Sequence, residues 1–230
     1  KKDAYESLGL DASEVDKDRW EKDSTNLEYG ISYVKSLIKN YDFEKSIEVC
    51  EELLVFHSDS KRLLKLTADS YSNNYNDKKA VKYLKDLIAL DESDVSAMLD
   101  LSIGYVSLAE FKDAYIWSDR AIKSGKLVGQ AYYQRADVLV QLVDFHRGDE
   151  LDFCDRLVYD LASEDYQNAY ENGQLKSKIY MNNLKELVSQ KGDWFMLGEQ
   201  FDKMSPGSKQ CSNRKKSDCY EFISREIKAK

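Results

Sequence analysis

Residues 68–87 read ADSYSNNYNDKKAVKYLKDL and residues 102–121 read SIGYVSLAEFKDAYIWSDRA, one pattern repeated at a shift of 34 positions. Small residues open both, at Ala68 and Ser102. Tyrosines follow at Tyr71 and Tyr105, and second small residues stand at Ala80 and Ala114. The same ruler reaches back to Val34, Leu37 and Ser46 and forward to Ala136, Leu139 and Gly148. Phe43, Phe111 and Phe145 share a column that Asp77 interrupts; Leu53, Leu87 and Ala121 share another. Within each round the apolar residues recur at helical spacing in two runs, which predicts two amphipathic helices. The small residues predict close helix crossings. One such hairpin cannot cover its own apolar face, so each must stack on the next.

A 34-residue period with small residues at two fixed offsets and an aromatic between them resembles the tetratricopeptide repeat, a helix–turn–helix unit. The resemblance implies an all-α fold, a right-handed α-solenoid of such repeats closed by a capping helix. The proline that often ends a repeat is missing: Ser58 and Glu92 hold its slot, and Pro206 is the one proline of the chain. Polar turns, such as Asn73 to Asp77 and Asp91 to Asp94, are expected to delimit the helices instead.

Residues 1–24 form a polar segment whose Tyr5, Leu8, Leu10, Val15 and Trp20 are candidates to dock on the first repeat. Residues 25–190 form the helical array, with regular repeats over 25–58, 59–92 and 93–126, the last closed by Gly125. An irregular fourth covers 127–173: after Gly148 the ruler lands on Asp152 and Asp155, while the apolar face returns out of register at Leu151, Cys154, Leu157, Val158 and Leu161. A capping helix is expected over 174–190, with Leu175, Ile179, Leu184, Leu187 and Val188 on one face. Residues 191–230 are a cysteine-containing tail with a basic run at 214–216 and a short amphipathic helix expected over 220–227. The tail, with the stretch DRLVYDLASEDYQNA (155–169), is similar to the ends of some bacterial envelope repeat proteins, a likeness that implies no activity.

With 42% hydrophobic and 33% charged residues, the chain suits a folded helical protein. Ten glycines and one proline argue against a turn-rich β-sandwich. A net charge of −8 disfavours general nucleic-acid binding, which needs a basic face. No apolar run approaches the roughly 18 residues of a membrane-spanning helix. The chain opens Lys1-Lys2-Asp3, without methionine or an apolar leader, which leaves an upstream start and a trimmed mature form both open.

Neither His57 nor His146 lies in a catalytic motif, and there is no glycine-rich phosphate loop, so neither enzyme activity nor a cofactor is expected. The cysteines, at 50, 154, 211 and 219, form no Cys-x-x-Cys, and no metal site is expected. Cys50 and Cys154 fall on apolar faces and read as small buried hydrophobes. Cys211 and Cys219 lie together in a polar stretch and are expected to pair as a disulfide. That pair implies an oxidising compartment, periplasmic or otherwise extracytoplasmic; two reduced cytoplasmic thiols are the alternative.

The repeat resemblance also implies that fixed positions of each first helix line a concave, partner-binding face. The candidates are Lys35, Arg62, Lys65, Asp69, Leu99, Ile103, Tyr133 and Asp137. Some repeat proteins clamp a terminal carboxylate with a lysine and an asparagine; here Lys65 is followed by Asp69, so that mode is not expected. The face is basic at one end and apolar and acidic toward the other. It suits a mixed peptide, or it is filled by the chain's own tail or merely solvated. The expected function is a non-catalytic protein–protein adaptor or scaffold within a larger assembly. One alternative is an extracytoplasmic accessory subunit that contacts partners through its tail or N-terminal segment. Another is a regulatory repeat domain of a longer enzyme.

Overall fold

The computed structural model describes residues 12–197, 202–211 and 219–229. Tyr5, Leu8, Leu10 and the basic run at 214–216 lie outside them. Helices α1 (Ala12–Lys22), α2 (Leu27–Lys39), α3 (Phe43–Leu54), α4 (Lys61–Asn73), α5 (Asp77–Leu90), α6 (Val95–Ser107) and α7 (Phe111–Lys123) follow in order. Two longer helices come next, α8 (Val128–His146) and α9 (Phe153–Glu171).

Local chemistry sets these boundaries with the same period as the core. Asn26, Ser60 and Asp94 stand 34 apart, and each side chain accepts a backbone N–H from the first turn of α2, α4 or α6. Asp42 and Asn76 do the same for α3 and α5. The polar turns thus start helices where proline is missing. The first helix of each of the three regular rounds stops the same way. Tyr41, Tyr75 and Ala109, again 34 apart, have left-handed φ values of 61°, 56° and 57°. The N–H after each donates back to a carbonyl five residues earlier: Asp42 to Leu37, Asn76 to Tyr71 and Glu110 to Tyr105, all at 2.9 Å. This is the Schellman cap, in which glycine is the usual left-handed residue.

The chain divides into two compact units, Lys1–Gly104 and Tyr105–Lys230, with the boundary inside α6. In the first, Trp20 docks on the first repeat as expected, packing with Tyr33, Val34, Leu37, Val49, Cys50, Leu53 and Leu63. Ala68 and Ala80 are also buried. The hydroxyls of Thr67 and Ser70 are buried without loss, because they donate to the Leu63 and Leu66 carbonyls on their own helix.

In the second unit α8 runs through position 143, where the ruler would place the next left-handed residue. Phe145 is consequently 63% exposed, whereas Phe111 in the same column is 6% exposed. Phe153 opens α9 and packs inward instead. Asp152 and Asp155 form a reciprocal capping box there, so the aspartates that broke the ruler begin the helix. Gly173, at φ 90°, follows α9 as expected.

Beyond Gly173 the structure departs from the sequence reading. In place of one helix over 174–190, α10 spans only Ser177–Asn183. Arg156 donates to the carbonyls of Glu186 and Val188, and Asp160 accepts the Ser189 N–H, which draws the chain out of helical register onto α9. Leu184 is buried, while Leu175 and Ile179 are exposed. Helix α11 (Lys191–Leu197) sets Trp194 edge-on to Phe153. The expected helix over 220–227 is not formed. Lys203–Met204 (β1) pairs antiparallel with Ile227–Lys228 (β2), Met204 opposite Ile227. A Cβ at Gly207 would stand 2.6 Å from the Glu221 and Ile223 carbonyl oxygens, so only glycine lets the two legs of the tail meet.

The disulfide also differs. Cys211 bonds to Cys154, 57 residues away, at an S–S distance of 2.11 Å, and not to its sequence neighbour Cys219. Cys154 sits in the first turn of α9, and the returning tail brings Cys211 onto it. Met204, Tyr220, Ile223 and Ile227 join the same core, and Tyr220 donates to Asp155 at 2.5 Å. The tail is an integral part of the second unit.

Candidate functional site

The first-helix positions of the first unit form a cross-linked row. Arg62 of α4 reaches Glu28 of α2 at 2.7 and 3.2 Å. Lys65 pairs with Asp69 on its own helix and, at 3.3 Å, with Asp100 of α6. Burial works against the charge of Lys65, but the two carboxylates outweigh it and raise its pKa. Burial raises the pKa of Asp100, and Lys65 partly offsets that. Lys61 ties the start of α4 to Asp91 at 3.0 Å. Arg62 and Lys65 thus bridge neighbouring rounds, and Asp69 is held by Lys65 on its own helix. Leu99 and Ile31 are buried, taken inward by the apolar period itself. Facing out are Lys35 and Lys39 on α2, Ser72 and Asn73 on α4, and Ile103 on α6, which is 48% exposed.

In the second unit Tyr133 meets α10, and Asp137 follows it one turn later on α8. Tyr133 packs against Tyr166 and Tyr180 at 5.6 and 5.5 Å between ring centres, and the Lys176 ammonium lies 4.2 Å from its ring. Burial, then a hydrogen bond with Tyr180, raises the Tyr133 pKa. Asp137 accepts from Gln141, and burial raises its pKa. At Tyr133 the face is partly covered by the chain's own C-terminal part.

The sequence reading missed the second unit's buried charge network. Arg135 donates to Asp165 through Nε and Nη2, both at 2.8 Å, and to Asp119 through Nη1 at 2.6 Å. Arg225 of the tail donates to the same Asp165 at 2.7 Å and to Glu164 at 3.3 Å. A charged residue inside the apolar run Ala131, Ala136, Val138 of α8 was the available signal.

His57 Nε2 lies 2.8 Å from the Thr25 carbonyl, and His146 packs edge-on against Phe111 and Phe145. Among the described residues no group of three or more His, Cys, Asp or Glu side chains is arranged to hold a metal, and no helix is long and apolar enough to cross a membrane.

The sequence matches no protein-family model and no curated protein. Solved structures match it in fold. The crystal structure of MamA aligns over 77% of this chain and 96% of its own, with a TM-score of 0.62 at 18% identity. YrrB, a TPR protein with an unusual peptide-binding site, aligns over 82% of this chain and 95% of its own, with a TM-score of 0.54 at 13% identity. A tetratricopeptide repeat protein from Parabacteroides merdae aligns over 96% of this chain and 87% of its own, with a TM-score of 0.52 at 12% identity. The chain has the tetratricopeptide-repeat fold, the architecture that its 34-residue columns predict.

Proposed function

We propose that this protein is a non-catalytic scaffold that holds a segment of a protein partner along the first-helix face of α2, α4 and α6. The observation that carries this reading is the division of labour on that face. Glu28–Arg62 and Lys65–Asp69–Asp100 link neighbouring helices of that face. Lys35, Lys39, Ser72, Asn73 and Ile103 are left pointing out of it. Side chains presented from packed helices leave little backbone to order when a partner binds. Its lysines suit carboxylates and Ile103 suits an apolar side chain. Peptide binding by YrrB, which shares the fold, supports the same use here. A role within a larger assembly fits a scaffold, and the Cys154–Cys211 bridge favours an extracytoplasmic setting. The test is quantitative capture by the tagged full chain. A partner held by the wild type should be lost from Lys35→Glu and Ile103→Glu; equal recovery on all three would overturn the proposal.

A further inference from the structure

We propose that the second unit carries a separate binding site on the exposed side of α7, which takes an acidic protein segment anchored by one bulky apolar side chain. A surface cavity of about 420 Å³ opens there between α7 and Phe222 of the tail. That volume lies within the roughly 300–1,000 Å³ typical of ligand pockets. Its floor is apolar: Tyr115 and Phe222 meet edge-on at 5.7 Å, beside the exposed Ile116. Its rim is cationic, with Lys112, Arg120 and Lys123 against one carboxylate, Asp119. Asp119 is shared by Arg135, outside the rim, and by Lys123 of the rim itself, both at 2.6 Å. In a chain of net charge −8, this is a local reversal of sign around an apolar hollow. Carboxylates flanking an apolar anchor complement it in both charge and shape.

The hollow is also held in place. Tyr220, Ile223 and Arg225 on either side of Phe222 are fixed by the bond to Asp155, by full burial and by the bonds to Asp165 and Glu164. A wall anchored on both sides needs no ordering when a ligand arrives. None of these residues belongs to the α2–α4–α6 face, so the two sites can fail separately.

The test is fluorescence anisotropy on the full chain with a labelled synthetic peptide of glutamates around one phenylalanine. Comparison probes replace the phenylalanine by serine, replace the glutamates by lysines, or substitute a labelled oligothymidylate. Saturable binding of the first peptide is expected. It should weaken by about tenfold or more in Lys112→Glu/Lys123→Glu and in Phe222→Ala, and stay unchanged in Lys78→Glu, a charge reversal at an exposed position of α5 outside both sites. If Phe222→Ala proves unfolded by circular dichroism, the lysine pair decides alone. No saturable binding, equal binding of the serine or lysine peptide, tighter binding of the oligothymidylate, or wild-type affinity in the folded cavity variants would overturn the site.

Discussion

Arg135 lies on the buried side of α8, its side chain 7% exposed against a fully buried Asp165. Burial opposes its charge, but Asp165, with Tyr115 and Asp119, more than offsets that and keeps it protonated. Removing one partner of such a network strands the other, so Arg135→Ala should cost about 3–5 kcal/mol in urea unfolding. Arg225→Ala, at a more exposed position, should cost clearly less. An Arg135→Ala protein as stable as the wild type would show the network to be incidental. The arginine was legible as a charge on an apolar stripe. Its partner, 30 residues on and one of several aspartates in α9, was not. Cys50 offers a second test. Burial, only partly offset by the neighbouring hydroxyls of Thr67 and Ser70, pushes its thiol from 9.0 up to about 11. A raised thiol pKa means that the folded protein holds this proton more tightly than the unfolded chain does. The resulting stabilisation is complete below about pH 9 and lost as pH rises through about 11. Iodoacetamide at pH 8 should therefore spare Cys50 in the native protein and modify it in urea; native labelling would contradict its burial.

The helices repay reading at their ends. Tyr41 and Tyr75 adopt the left-handed conformation while 80% and 94% exposed, so their side chains give little back for the strain. Left-handed backbone costs a non-glycine residue roughly 1–2 kcal/mol, and a glycine there should stabilise the protein by about 0.5–1 kcal/mol even after its own entropy loss. Tyr75→Gly should raise the melting temperature; a lower one would mean that the tyrosine ring makes a contact worth more than the strain. At the helix crossings the sign reverses. Ala80 and Ala114 are buried at recurring close approaches, and Ala80→Leu or Ala114→Leu should destabilise by about 1–3 kcal/mol. An unchanged melting temperature would detach the 34-residue columns from the packing. The columns could be read from sequence because caps and crossings are local and repeat. The overrun of α8 was not legible in the same way: Leu142 and Val143 replace the polar Asn40-Tyr41-Asp42 and Asn74-Tyr75-Asn76, but Leu108-Ala109 is apolar at those columns too and still ends its helix.

At the level of the whole molecule, the tail is where the sequence was least informative. Cys211 and Cys219 are close in sequence and share a polar stretch, and proximity alone suggested their pairing. The observed partner, Cys154, is reached only once the tail has folded back onto α9, a long-range event with no local signature. A bridge closing 57 residues should stabilise by about 4 kcal/mol in the chain-entropy model. Counting thiols cannot separate the two pairings, since either leaves two cysteines outside the bridge. Non-reducing peptide mapping can: the peptides holding Cys154 and Cys211 should be found linked, and a Cys211–Cys219 link would overturn the tail's path. The candidate face was legible as a set of positions, but not in which of them remain open. Side-chain pairing took Arg62, Lys65 and Asp69, packing took Leu99, and α10 covered Tyr133. The central claim, that the α2–α4–α6 face holds a partner, is tested most directly by titrating a captured partner against purified wild type, Lys35→Glu and Ile103→Glu. The account predicts dissociation constants raised by about tenfold or more in both variants, with unchanged circular dichroism. Wild-type affinity in both would contradict it.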